Sequence, residues 1–443
     1  MRIKSVTQLC ILVIALPVLA HAQINTQVGD SDTDIPNPDV LRPFGIQSMS
    51  LQSQLRRSDY LDAGVEVTTA FDDNALNLST NPRSDLSCTF LPEIGLRESR
   101  GRTDWRLSYA GGYTLHQRLD TYNSGFQDVG LQGTYKLSEH SNVTAANGFV
   151  RTTGFVGGLE DGSSTVPSTV LNQSNSAVVT PLASNTSNTT LLRIDDQLTQ
   201  TSVVGGAATF VWSHYNDTQP SARLIDSTSQ EADAYYNRIL SPNTSVGITY
   251  RFLGLTFTSI NNRTTVNSVL ATYTLRPRQS VVVTLYAGPQ RVIVDSVSSA
   301  ITAPFHRSYV SGMGGASLVW NGRYGAATAS FSREVSDGGG LLGPVTWTNV
   351  SAQIKKQLSR NWFGEFGIGY GISDSLATPG ISSSSVKNTT LTSTVSRQWA
   401  EWGFGLGYAR VWQNQAISGI ADTNHNRAWI SVSYRFSRAL GRN

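Results

Sequence analysis

Residues 427–436 read Arg427-Ala428-Trp429-Ile430-Ser431-Val432-Ser433-Tyr434-Arg435-Phe436. Ala428, Ile430, Val432, Tyr434 and Phe436 alternate with Arg427, Trp429, Ser431, Ser433 and Arg435, so an extended chain presents one greasy face and one wet face. A strand that has lipid on one side and water on the other needs this period of two. Its place close to the end of the chain reads as the closing strand of a transmembrane antiparallel β-barrel.

The aromatic pair Tyr434 and Phe436 resembles the C-terminal signal by which barrel-assembly machinery recognises bacterial outer-membrane proteins. Seven residues follow Phe436, so the signal is not strictly terminal. The other end of the chain points to the same compartment. Arg2 and Lys4 form a positive n-region, residues 9–20 an apolar h-region and Ala20-His21-Ala22 a small-residue cleavage site, which together describe a secretory leader over 1–22 and a mature chain from Gln23. The h-region is too short for a spanning helix, which needs about 20 residues. Cys10 lies within the h-region, well ahead of the cleavage point, and is not placed as a lipoprotein cysteine.

Composition excludes several classes. Hydrophobic residues make up 39% and mean hydropathy is −0.18, with no long apolar run after the leader, whereas 39 Gly, 16 Tyr, 15 Phe and 9 Trp suit strands and aromatic girdles. The net charge of +3 falls to +1 when Arg2 and Lys4 leave with the leader. That balance makes no electrostatic case for nucleic acid. Residues 23–58 carry Asp30, Asp32, Asp34, Asp39, Pro36, Pro38 and Pro43 without alternation, and are expected to form a flexible periplasmic lead-in, far shorter than a receptor plug domain.

From residue 60 the alternation is nearly continuous. Leu61, Ala63, Val65, Val67 and Phe71 oppose Asp62, Gly64, Glu66 and Thr68; Trp105, Leu107, Tyr109 and Tyr113 oppose Asp104, Arg106, Ser108 and Gly112. Late in the chain Trp362, Phe366, Ile368 and Tyr370 face away from Glu365, Gly367 and Gly369, and Trp402, Phe404, Leu406 and Tyr408 from Glu401, Gly403, Gly405 and Gly407. Short turns recur at 137–141, 198–202, 240–244, 275–279 and 358–362, at Asn321-Gly322, whose residues accept positive φ, and near 98–102 and 397–400. Longer Ser/Thr/Asn/Gly-rich connections separate them, the longest at 155–188 and another at 373–385. Short turns face the periplasm and long loops the outside. Eight turns joining nine up-and-down pairs predict an all-β barrel of 18 strands, to within two, over residues 59–437, followed by a tail at 438–443.

The tryptophans fit two girdles. Trp105, Trp320, Trp362, Trp399 and Trp402 fall at the short-turn ends, and Trp212, Trp347, Trp412 and Trp429 at the opposite ends. Trp347 and Trp429 share the polar parity, which assigns them to the lumen or to loops.

Catalytic and metal patterns are weak. His116, His140, His214, His306 and His425 are scattered near strand ends or in connections, with no HExxH and no clustered Cys/His ligands, and are read as solvated or interfacial. Asp72-Asp73-Asn74 offers oxygens to a cation but lacks the rest of an EF-hand loop; an acidic turn is the better reading. No catalytic, cofactor-binding or metal residue is assigned.

The polar parity assigns Asp62, Glu66, Glu93, Asp104, Arg106, Asp128, Lys136, Arg251, Lys355, Glu365, Glu401 and Arg435 to the lumen, interleaved with Gly, Ser and Thr. An 18-strand barrel is wide enough for an aqueous channel, and mixed signs argue against steep ion selectivity. The run Phe71-Asp72-Asp73-Asn74, then Ser84-Asp85, Pro92, the strand 102–113 and Tyr122, resembles the opening of outer-membrane β-barrel porin-like proteins, some of which accompany exopolysaccharide export. The resemblance implies a Gram-negative outer-membrane location and transport, names no substrate and brings no catalytic residue. The expected partners are outer-membrane lipid and lipopolysaccharide, the barrel-assembly machinery and a solute or polysaccharide. A non-conducting barrel that binds a partner through its long loops is the alternative, and a lipid-modifying enzyme the third reading.

Overall fold

The computed structural model describes residues 59–440 except residue 80 and segments 155–182, 217–223, 297–303, 341–342, 377–384 and 416–421. The leader and the lead-in at 23–58 therefore lie outside the described residues, as does most of the 155–188 connection. The described residues form eighteen strands: β1 (Tyr60–Asp72), β2 (Asp85–Arg100), β3 (Thr103–His116), β4 (Ser124–Lys136), β5 (Ser141–Gly154), β6 (Ala183–Thr199), β7 (Ser202–Asn216), β8 (Ser227–Ser241) and β9 (Thr244–Phe257). The second half holds β10 (Asn262–Arg278), β11 (Val281–Ser296), β12 (Phe305–Gly322), β13 (Gly325–Ser336), β14 (Val345–Ser359), β15 (Trp362–Ser375), β16 (Ser385–Trp399), β17 (Trp402–Gln415) and β18 (Thr423–Ala439).

Every strand pairs antiparallel with its neighbours in sequence, and β1 also pairs with β18 from Tyr60↔Ala439 to Asp72↔Arg427. The sheet is closed. Closure removes the edge groups that a bilayer could not hydrogen-bond along all but one stretch, β12 beyond Gly314, so the local alternation and the global topology satisfy the same demand. Among the described residues no helix is long and apolar enough to cross a membrane; the strands do the crossing.

The eight short turns fall where expected, with one shift of register. Asn321 and Gly322 are still in β12, paired with Ala326 and Gly325, and the turn is Arg323-Tyr324. Neither takes positive φ, whereas Gly101 and Ala400 do so in other short turns, so the Asn-Gly signal marked the hairpin but not its tip. β6 already begins at Ala183, which shortens the longest connection to 155–182; Ser375 and Ser385 likewise belong to strands, and β18 runs to Ala439, past the expected end at 437.

The outer face is apolar. Phe366, Ile368 and Tyr370 on β15 and Phe404, Leu406 and Tyr408 on β17 are all exposed outward, as a lipid-facing parity requires. Trp320, Tyr324, Trp362 and Trp399 ring the short-turn end, and Phe71, Tyr113 and Trp212 the other. Trp347 and Trp429 are each 6% exposed and lie on the inward parity, which settles them in the lumen.

Candidate functional site

The lumen wall is cross-linked by charge. Arg435 on β18 reaches Glu93 on β2 at 3.4 Å across β1, and Gly64, in register with both, leaves the space: a Cβ there would come within 2.7 Å of the Glu93 carboxylate. Arg97 pairs with Asp104 at 3.1 Å, and Thr68 donates to Glu66 at 3.0 Å. Asp62 stands in register with Gly95, Asp128 with Ala110 and Arg106 with Arg97. Lys355 faces Glu365 in register, and Gln353 donates to Glu365 at 2.6 Å. Two predicted wall residues lie at the margin. Lys136 ends β4, and Glu401 lies in the turn before β17, where it accepts from Tyr434 at 2.9 Å. Tyr434 has outward parity and packs on Trp402, so Glu401 belongs to the girdle at the short-turn end and not to the wall.

Arg251 is the centre of the densest group. It donates to Glu231 on β8 at 2.7 Å and to Glu334 on β13 at 3.3 Å, with all three side chains nearly buried. Glu334 is four strands from β9 along the wall, so this contact requires β13 to leave it. The register shows where: β12 and β13 pair only from Gly322↔Gly325 to Gly314↔Arg333, while Glu334, Val335 and Ser336 keep their pairing with β14. The end of β13 folds inward. Val335 packs with Leu253, Leu255, Phe257, Val292 and Val294 from β9 and β11, and Asp337 accepts from Ser227 at the start of β8. Apolar burial of several such side chains, at about 25 cal/mol per Å², holds the inward end where ladder bonds are missing.

This narrows the lumen on one side. Inward residues of β9–β11 such as Thr249, Thr264, Leu270 and Thr284 are fully buried, whereas the inward parity of β15 and β17 is glycine: Gly367, Gly369, Gly403 and Gly405, backed by the hydroxyls of Thr392, Thr390, Ser433 and Ser431. Sequence reading missed Glu231, Asp233 and Glu334, although Glu231, Asp233, Tyr235 and Asn237 alternate along β8 and could have been read by the same rule. A second missed group joins Arg193, Asp195 and Tyr235, with Arg193 to Asp195 at 2.7 Å and the Tyr235 hydroxyl donating to the same carboxylate.

The Phe71-Asp72-Asp73-Asn74 run has a structural role at the seam where the barrel closes. Asn74 donates its side-chain amide to Leu78 and Asn424, Asp73 accepts from the Asn426 backbone at 2.7 Å, and His425 meets Asp72 at 3.1 Å. Asp72, Asp73 and His425 place a ligand atom each within 4.8 Å of one another, but their oxygens already accept these bonds, as an acidic turn does. His425 is buried, which corrects its reading as a solvated side chain. His116 with Asp85, His214 with Asp226 and His306 with Asp295 form three further pairs between neighbouring strands at the long-loop end. They are cross-links along the rim.

No family model matches the chain, and no curated protein matches it. Solved structures do. The ferric citrate transporter FecA in its unliganded form aligns over 86% of this chain and 79% of its own, at 9% identity and a TM-score of 0.47. OccK2 (OpdF) of Pseudomonas aeruginosa aligns over 86% and 98%, at 10% identity and 0.45, and the outer membrane protein OpdK of the same organism over 86% and 99%, at 10% and 0.42. This is a closed, 18-strand membrane barrel. The closure, the outer belt and the polar wall establish that on their own, since likenesses at these identities and scores carry no functional argument.

Proposed function

We propose that the chain is an outer-membrane, porin-like channel for small hydrophilic solutes, narrowed at the Arg251–Glu231–Glu334 group. The observation that supports this most is the pairing of an inward-folded, charge-tethered β13 with a facing wall of glycine and hydroxyl side chains, which leaves a wet path beside a built constriction. Carboxylates and guanidinium stand together there, so the path favours neutral or zwitterionic solutes over either ion sign. An export conduit for polysaccharide, which the opening resemblance implies, uses the same lumen with a larger cargo.

The test is single-channel recording of the folded mature chain in a planar bilayer. Discrete conductance is expected, and Glu334→Ala, which unties β13 from β9 but leaves Arg251 paired with Glu231, should raise it. Silence from both forms would sink the channel reading in favour of a structural or loop-binding barrel. Block of the current by a soluble polysaccharide but not by its monosaccharides points to the export conduit.

A further inference from the structure

The outer face carries a feature that the channel does not use. Where the β12–β13 pairing stops, a groove of about 760 Å³ opens on the lipid side. Its lining residues of outward parity include Ala287, Gly312 and Gly314 as floor, with Leu285 and Phe331 as walls and Arg333 at its upper end. Above it β12 is an unpaired edge: residues 305–313 have no partner on β13, and Val310 is 72% exposed. The other lip of this seam is the inward-folded end of β13, held by side-chain packing and by the Glu334–Arg251 contact.

Depth locates the groove. A tilted strand climbs about 2.5 Å per residue, so Gly314, six residues from Trp320, lies about 15 Å above the periplasmic girdle in a belt about 25 Å tall. Arg333, paired with Gly314 and exposed outward, stands in the upper half of the hydrocarbon zone, and its guanidinium makes no hydrogen bond or ion pair with another described residue. A cation there is costly unless it snorkels to an anion at the outer interface.

From the cavity, the seam and this cation together, we infer that the groove binds a single-chain anionic amphiphile from the lipid side, its aliphatic chain along Gly312 and Gly314 and its head on Arg333. The inference needs the barrel to sit in a membrane but does not need it to conduct. Small residues here admit a chain that the larger Phe, Tyr, Leu and Ile side chains exposed elsewhere on the belt obstruct.

The experiment uses the full mature chain in phosphatidylcholine nanodiscs, with palmitic acid carrying a diazirine a few carbons from its head as probe and the matching fatty alcohol as neutral control. After irradiation, labelled peptides are mapped by mass spectrometry. Label from the acid is expected to concentrate on residues 310–316 and 331–333. A Cβ at Gly312 meets nothing within 4 Å, so Gly312→Leu should fold, fill the groove and lower labelling by both probes about tenfold, the size set by losing one well-placed contact set. Arg333→Gln should lower labelling by the acid and leave the alcohol unchanged. Label spread evenly around the belt, full labelling of heat-modifiable Gly312→Leu, or equal labelling by acid and alcohol in the parent each overturns the proposal. Should Gly312→Leu not fold, Arg333→Gln with the two probes decides alone.

Discussion

An arginine placed at successive outward positions of β15 and β17 should cost stability according to depth. With about 2.5 Å of climb per residue, Phe404, two residues past Trp402, lies about 5 Å from the short-turn girdle, whereas Leu406 and Phe366, four residues past Trp402 and Trp362, lie about 10 Å in, close to the middle of the belt. Phe366→Arg and Leu406→Arg should each cost about 2–4 kcal/mol, and Phe404→Arg about 0–1 kcal/mol, since the guanidinium of the latter reaches water. Inward controls on the same sheet should be mild. At Gly95 a Cβ would sit 3.8 Å from the Asp62 Cβ, and at Gly367 it would meet only the Thr392 hydroxyl, at 2.6 Å, which can turn aside. Gly95→Ser and Gly367→Ser should therefore stay within about 0.5 kcal/mol of the parent. Urea unfolding from lipid vesicles, followed by tryptophan fluorescence, reads all five. Equal costs at Phe404 and Leu406 would refute the depth assignment, and a larger cost at Gly367 than at Phe366 would refute the facing of the whole strand.

Replacing Tyr434 and Phe436 together by Ser removes the Tyr434–Glu401 bond, the packing on Trp402 and the outward Phe436; loss of the heat-modifiable band in outer-membrane fractions is expected, and normal abundance of folded protein would contradict the closing-strand role. At the other end of that seam, Asp73→Ala should lower stability by about 1–3 kcal/mol, because the Asn426 amide groups lose their acceptor, while a chelator leaves the melting temperature of the parent unchanged. A drop in melting temperature with chelator would instead assign Asp72, Asp73 and His425 to a cation.

Much of this architecture was legible in the residues because its signal is local. The alternation of Trp402, Phe404, Leu406 and Tyr408 against glycine depends only on the period of an extended chain, and eight turn signals set the strand number without any knowledge of pairing. The lipid side could be told from the wet side for the same reason. The sequence by itself thus determined a barrel, its strand count and which side chains face out. What the tertiary structure alone decided is where the wall departs from that pattern. Glu334 keeps the inward parity of its strand, but its meeting with Arg251, 83 residues earlier, follows from β13 leaving β12 beyond Arg333, and no spacing within β13 announces it. Asn74 finds Asn424 350 residues away because closure brings the first and last strands together. Glu401 obeyed the parity rule on paper and broke it in space, since a turn residue is free of the pleat. Periodicity tells each strand which way to face; the constriction, the seam and the groove arise from how distant strands pack once the sheet has closed.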